Sequence, residues 1–447
     1  MNLQAPRTTG SDAAQTPLEA IDVSDATLYQ QDSWRPYFAR LRAEDPVHWT
    51  ENDVFGGFWS VTRFQDITAV DGNHEAFSSV PAITIGGYGD DFPVTQFIAM
   101  DPPVHDVQRA AVQGVVAPRN LAQLEGLIRQ RVGDILDDLP IGETFNWVEK
   151  VSINLTTQML ATIFDFPFEE RHKLPYWSDM ATSLPEMAGA DGDVDERTAA
   201  LQECLTYFTE LWHQRKNNPP GTMDLISLLA TNPGTCAMVD DPLEYLGNLL
   251  LLIVGGNDTT RNSITGGVLA LNQNPDEYEK LKDNPSLIPS MVSEVIRWQT
   301  PLMHMRRIAT RDIELGGKTI RKGDKVVMWY LSGNHDETAI DLPNEFIIDR
   351  ANPRYHLSFG FGIHRCMGNR LGEMQLRILW EEILKRFSKV EVVGEPERVL
   401  SNFVRGYSAL PVQLHALTRE HKSRLGIRGS VLPTIQNLTS GAATPTT

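Results

Sequence analysis

The stretch HLSFGFGIHRCMG, residues 356–368, decides how the chain is read. Gly360 and Gly362 permit a tight turn and let backbone approach a flat ligand closely. Cys366 follows and lies just ahead of an amphipathic stretch, residues 369–387, in which Leu371, Met374, Ile378 and Leu379 share one face. A helix beginning there directs unpaired N–H groups and its positive end at the sulfur. Such a setting lowers a thiol's pKa and suits a metal thiolate. Backbone N–H groups aimed at the sulfur would also tune the metal. The plainer alternative is a buried structural cysteine beside a glycine turn, since free Cys usually behaves as a small hydrophobe.

Working outward, helical patterns dominate. Residues 287–299 form an amphipathic stretch carrying Glu294 and Arg297, three apart and so on one face. Residues 240–272 read as one long helix with a defect at GGNDTT, residues 255–260. Two glycines in a helix interior cost about 1 kcal/mol each against alanine, so the defect needs a reason. Either the helix breaks and Asp258 or Thr259 caps a second one, or it stays helical and opens a groove. In the second case the Thr259 hydroxyl bonds back to the Gly255 carbonyl. Residues 120–137 repeat apolar and charged positions at helical spacing. Asp101-Pro102-Pro103 predicts an N-cap with prolines in the first turn, starting a helix with His105 and Arg109 on one face. Strand patterns are clearest at Gly56–Thr62 and Lys322–Tyr330. The expected fold is mainly α with a small β region. No repeat or linker divides it, so a single domain is expected over residues 21–420. Polar tails rich in Thr, Ala and Pro, residues 1–20 and 421–447, are expected to be disordered.

Composition narrows the function classes. Hydrophobic residues at 41% and charged residues at 22% fit a globular protein with a substantial core. The longest apolar runs, Leu249–Val254 and Val326–Leu331, fall far short of the ~18 residues a bilayer span needs. With no apolar leader near the start, a cytoplasmic protein is expected. A net charge of −18 disfavours nucleic acid, although a local basic patch can still meet an acidic partner. Cys204, Cys236 and Cys366 are too scattered for a disulfide framework or a zinc knuckle.

The run Phe359–Gly368 resembles the cytochrome P-450 haem signature, Phe-x-x-Gly-x-His-x-Cys-x-Gly. The resemblance implies a single-domain cytochrome P-450 fold holding haem b (iron protoporphyrin IX) on the Cys366 thiolate. Thiolate ligation favours O–O cleavage. Further motifs agree in order. Gly255–Thr260 resembles the family's oxygen-activation motif, which implies that Asp258 and Thr259 relay protons to the distal oxygen. Glu294 and Arg297, alone a surface pair of little worth, would join Arg350 in a triad that fixes the backbone presenting Cys366. His105, Arg109, Arg307 and His364 fall where family members clamp the haem propionates, with Arg306 an alternative to Arg307. Gly255, Phe359, Gly360 and Gly368 would contact the macrocycle.

Within the superfamily, MDPPVHDVQR, TPLMHMRR and GGKTIRKGDKVVMWY are similar to the bacterial alkane terminal hydroxylases. That implies insertion of one oxygen atom of O2 into an apolar substrate, with terminal hydroxylation of medium-chain n-alkanes foremost. Terpenes, fatty acids or other bulky apolar molecules are the alternatives. By motif position, Leu251, Val254, Leu302, Met303, Phe403 and Val404 should face the distal side. A lid loop over residues 81–99 should add Ile85, Phe97 or Ile98, and Arg405 is the one candidate cation for a substrate carboxylate. Ordinary core would look equally apolar. Electrons would come from an NAD(P)H-dependent ferredoxin reductase through a 2Fe–2S ferredoxin, docked at Arg119, Arg365 and Arg370. A peroxygenase would not need Asp258 and Thr259, and a haem sensor would not need Thr259. For a cysteine hydrolase, His364 sits too close to Cys366 to serve as its base.

Overall fold

A computed structural model describes residues 10–86, 94–182, 194–217 and 224–417. Eight helices frame the site: α1 (Phe64–Asp71), α2 (Val104–Val112), α3 (Pro118–Asp137), α4 (Lys173–Thr182), α5 (Val194–Asn217), α6 (Pro242–Gln273), α7 (Ile288–Gln299) and α8 (Asn369–Arg386). Beside them lies a five-stranded sheet of β1 (Val47–Thr50), β2 (Phe58–Val61), β3 (Phe77–Ser78), β4 (Met305–Ala309) and β5 (Lys325–Met328). The order across it is β1-β2-β5-β4-β3, with β2 and β5 parallel and the other neighbours antiparallel. The fold is mainly helical, as the sequence indicates.

The largest core joins α3, α6, α7 and α8, burying Ile128, Val268, Val295 and Trp380 among others. Close approach there depends on small residues. A Cβ on Gly266 would meet the Gln299 Oε1 of α7 at 2.2 Å, and one on Gly247 would meet the Thr95 carbonyl at 2.0 Å. The segment leading to α2 therefore lies directly against α6.

One open choice is decided and two local expectations change. The long helix is unbroken from Pro242 to Gln273, capped by Asp241 rather than restarted at Asp258. Asp101 does not cap α2; its carboxylate is taken by the Ser78 hydroxyl at 2.5 Å and the Ser79 N–H at 3.0 Å. Residues 10–20, expected in a disordered tail, include the helix Gly10–Gln15 and a helical turn at Leu18–Ala20. Ala13 is buried and Arg40 donates to the Ala13 and Thr16 carbonyls, tertiary contacts that composition cannot register. The tail at 421–447 and part of the expected lid loop, residues 87–93, lie outside the described residues.

Candidate active site

Between Phe359 and α8 the chain turns through two glycines with φ of +66° and +67°, at Gly360 and Gly362. This left-handed backbone favours glycine over any L side chain. The turn closes when the Cys366 N–H donates to the Phe359 carbonyl at 2.8 Å. Cys366 is enclosed by protein, and the surface it does expose is the wall of a cavity. Burial pushes the Cys366 thiol up, outweighing the Gly368 and Asn369 N–H groups and the arginines at 109 and 365 that pull it down. The expected lowering by the helix end is thus overridden by desolvation.

The loop is anchored from behind by a buried ionic frame. Glu294 on α7 accepts two bonds from Arg297, at 2.7 and 2.8 Å, and one from Arg350 Nε at 2.9 Å. Its carboxylate also takes the Ile347 N–H at 2.9 Å. Arg297 passes the constraint on, donating to the Asn334 carbonyl at 2.8 Å. The Asn334 side chain then accepts the Leu357 N–H at 2.6 Å and donates to the Ser358 hydroxyl at 2.9 Å. The sequence reading found the triad but missed Asn334. Asn334 sits in the polar run Ser332–Glu337, which gives no signal of burial, yet it is fully buried.

Gly255, Gly256, Thr259 and Thr260 of α6 line the same cavity as Cys366. A Cβ on Gly255 would meet nothing, so this glycine leaves open space, whereas one on Gly256 would meet Leu160 at 2.8 Å. Thr259 Oγ1 donates to the Gly255 carbonyl at 2.8 Å, the back-bond expected. Asp258 does not line the cavity. Its Oδ1 is drawn along the helix to Arg261 at 3.0 Å and accepts from Asn257 at 3.0 Å, and the buried carboxylate also lies beside the Ser178 hydroxyl of α4. Burial, against the pull of Arg261, raises its pKa to about 6. Arg261 also pairs with the half-exposed Asp179 at 2.8 Å, which puts the carboxylate between the cavity and the surface.

The cavity holds about 2110 Å³ of space between atoms, its outer part open to solvent. Phe97, Ile98, Leu251, Val254, Leu302 and Phe403 line it as expected. Ile85, Met303 and Val404 do not; they are buried in neighbouring cores. Leu302 and Phe403 reach the cavity, whereas Met303 and Val404 are taken up by the cores packed beside it. Sequence reading missed Ile83, Leu160, Leu201, Leu225 and Arg197, which reach the wall from elements far apart in the chain. Arg405 is committed elsewhere, to the Trp298 and Gln299 carbonyls.

At one corner the wall becomes cationic. Arg109, Arg307 and His364 line it. Arg306 does not line the cavity and donates instead to the Ala82 carbonyl. His105 stands behind His364, ring centroids 4.3 Å apart, and is not itself on the wall. His105 Nε2 and His364 Nδ1 are buried without partners. Arg109 Nη2 ties the corner to the cysteine turn through the Arg365 carbonyl at 2.5 Å. Phe359, Gly360 and Gly368 complete the wall beside Cys366. A largely apolar cavity lined by a thiol, a glycine-threonine stretch of helix and a set of cationic donors suits an apolar ring that bears carboxylates and takes a sulfur ligand.

The comparisons agree with that geometry. The family model described as Cytochrome P-450 matches residues 134–406, more than half the chain. The chain belongs to the cytochrome P-450 family. It is similar to a solved structure of cytochrome P-450-153 from Novosphingobium aromaticivorans, 45% identical with a TM-score of 0.83, covering 88% of this chain and 99% of that one. It is 34% identical to linalool 8-monooxygenase of Pseudomonas putida, over 89% of this chain and 99% of that protein. A methyl-branched lipid omega-hydroxylase of Mycobacterium tuberculosis is 31% identical, over 89% of this chain and 96% of that protein. This cytochrome P-450 is a monooxygenase, and its cofactor is haem b. No helix among the described residues is long and apolar enough to cross a membrane.

Proposed function

We propose that this cytochrome P-450 hydroxylates the terminal methyl of medium-chain n-alkanes. The observation that carries the reading is the cavity wall, apolar over most of its area and facing the Thr259 groove. The lipid omega-hydroxylase among the relatives and the 45% identity to cytochrome P-450-153 support it. Cys366 would hold the haem iron through its thiolate, which requires the thiol to give up its proton. Arg109, Arg307 and His364 would hold the propionates, with His105 supporting His364. When bound, the haem supplies reductive activation of O2 and oxygen insertion into a C–H bond. The chain's own part is to exclude water with Phe97, Leu251, Val254 and Phe403, orient the alkane end-on, and move protons from Asp258 Oδ2 towards the Thr259 hydroxyl. A second reading is terminal hydroxylation of a fatty acid; the lipid omega-hydroxylase among the relatives is compatible with it. Titrating the ferric protein with n-octane should convert low-spin haem to high-spin as the alkane displaces water. A shift with dodecanoate alone would favour the second reading, and no shift with either would turn the assignment towards terpenes.

Electrons are proposed to arrive from a 2Fe–2S ferredoxin and its NAD(P)H-dependent reductase, in the cytoplasm. Arg119, Arg365 and Arg370 are exposed and make no ion pair within the described residues, leaving them available to an acidic partner. Arg370→Glu should slow ferredoxin-driven turnover severalfold at low salt by lowering the association rate. The alkane titration should not change. Wild-type kinetics at low salt would remove Arg370 from the docking surface.

A further inference from the structure

Asp71, the last residue of α1, is 2% exposed, and neither the sequence motifs nor the proposed mechanism accounts for it. Its carboxylate gathers three donors from three separate segments. Oδ1 accepts from Arg307 Nη2 of β4 at 2.8 Å. Oδ2 accepts from the Tyr330 hydroxyl at 2.7 Å and from the Phe361 N–H at 2.8 Å. Phe361 belongs to the turn that presents Cys366, while Arg307 and Tyr330 both line the cavity. The backbone reinforces the link, since a Cβ on Gly362 would meet the Asp71 carbonyl at 2.4 Å. One carboxylate therefore joins the cationic corner to the cysteine turn. A buried carboxylate is costly unless its lone pairs are taken, and here both oxygens are engaged.

We propose that Asp71 is a positioning residue that aims Arg307, holds the turn before Cys366, and lowers the haem reduction potential as a fixed negative charge. This rests on the haem placement proposed above. The electrostatic sign follows directly: reduction adds an electron, so a nearby buried anion disfavours the ferrous state. Without Asp71, Arg307 would keep its bond to the Arg306 carbonyl and its proposed propionate partner but lose the protein carboxylate that aims it.

Two variants with opposite expected signs test this by spectroelectrochemical titration of the purified holoprotein. Asp71→Asn removes the charge and should favour the ferrous form about tenfold, an upward shift of about 59 mV for one electron. Haem transfer to apomyoglobin should also quicken severalfold. Tyr330→Phe keeps the carboxylate but removes a donor that partly neutralises it, so the potential should fall, with ferrous haem disfavoured about twofold. A merely structural role would not give opposite signs. Wild-type potentials in both variants would overturn the proposal. Should Asp71→Asn not retain haem, Tyr330→Phe decides alone: a lowered potential supports the proposal and an unchanged one overturns it. A wild-type protein that takes up no haem would overturn the functional reading, and this proposal with it.

Discussion

Glu294→Ala is expected to yield a protein that retains little haem and is destabilised by about 3–5 kcal/mol, the cost of stripping one partner from a buried ion pair. Two guanidiniums depend on this carboxylate, and the side chains of Glu294 and Arg297 are 0% and 1% exposed. Removing it leaves Arg297 and Arg350 with backbone carbonyls as their remaining acceptors. The damage should travel along a defined route. Arg297 would lose its aim on the Asn334 carbonyl, Asn334 its hold on Leu357 and Ser358, and the turn before Cys366 its fixed approach. The ratio of haem absorbance to protein absorbance, read beside denaturant unfolding of the same sample, checks this. Full haem loading with unchanged stability would show that the triad does not position the turn.

Asp258→Asn is expected to slow product formation by about 10²–10⁴-fold, the usual contribution of a positioned proton donor. Reductant consumption should fall far less, because oxygen is still reduced when protons arrive out of order. The pH dependence carries the sharper sign. With a pKa near 6, the Asp258 carboxyl is largely protonated below that value and ionised against Arg261 above it. Wild-type product yield per electron should therefore fall as pH rises through about 6, whereas the Asn variant should be low and flat over the same window. The structure adds a condition that the motif alone lacks. The carboxylate faces Arg261, so reaching Thr259 requires it to leave that pair, and Arg261 variants should change the same pH profile. A wild-type profile flat from pH 5 to 8, roughly the window in which a group of this pKa titrates, would exclude Asp258 from the relay.

The parts of this site readable from sequence are those whose chemistry is concentrated in short segments. The turn through Gly360 and Gly362 into Cys366, and the Gly255–Thr259 groove, each need particular residue types at fixed spacing. Their backbone geometry follows from that need. Glu294, Arg297 and Arg350 were legible only through resemblance, because nothing local distinguishes a buried pair from a surface one. What was not legible depends on tertiary direction. Met303 and Val404 fit the composition of a substrate wall as well as Leu302 and Phe403 do, and only their packing into the neighbouring cores separates them. Asp71 and Asn334 are polar residues in loops or at a helix end, where solvent exposure is the ordinary expectation. Their importance comes from segments more than 200 residues away for Asp71, through Arg307, and about 23 away for Asn334, through Leu357. The Cys366 thiol shows the same limit in electrostatics. The helix end was visible in the sequence, but the burial that outweighs it was not.

The central claim is that the Cys366 thiolate holds the haem iron across from the Thr259 groove. The most direct test is the absorption spectrum of the reduced, carbon monoxide-bound protein, recorded for wild type and for Cys366→His. The account predicts the strongly red-shifted Soret band of thiolate-ligated haem in the wild type. In the variant that band should be replaced by the shorter-wavelength band of nitrogen ligation. A wild-type spectrum already of the nitrogen-ligated kind, or an unchanged red-shifted band in Cys366→His, would contradict it.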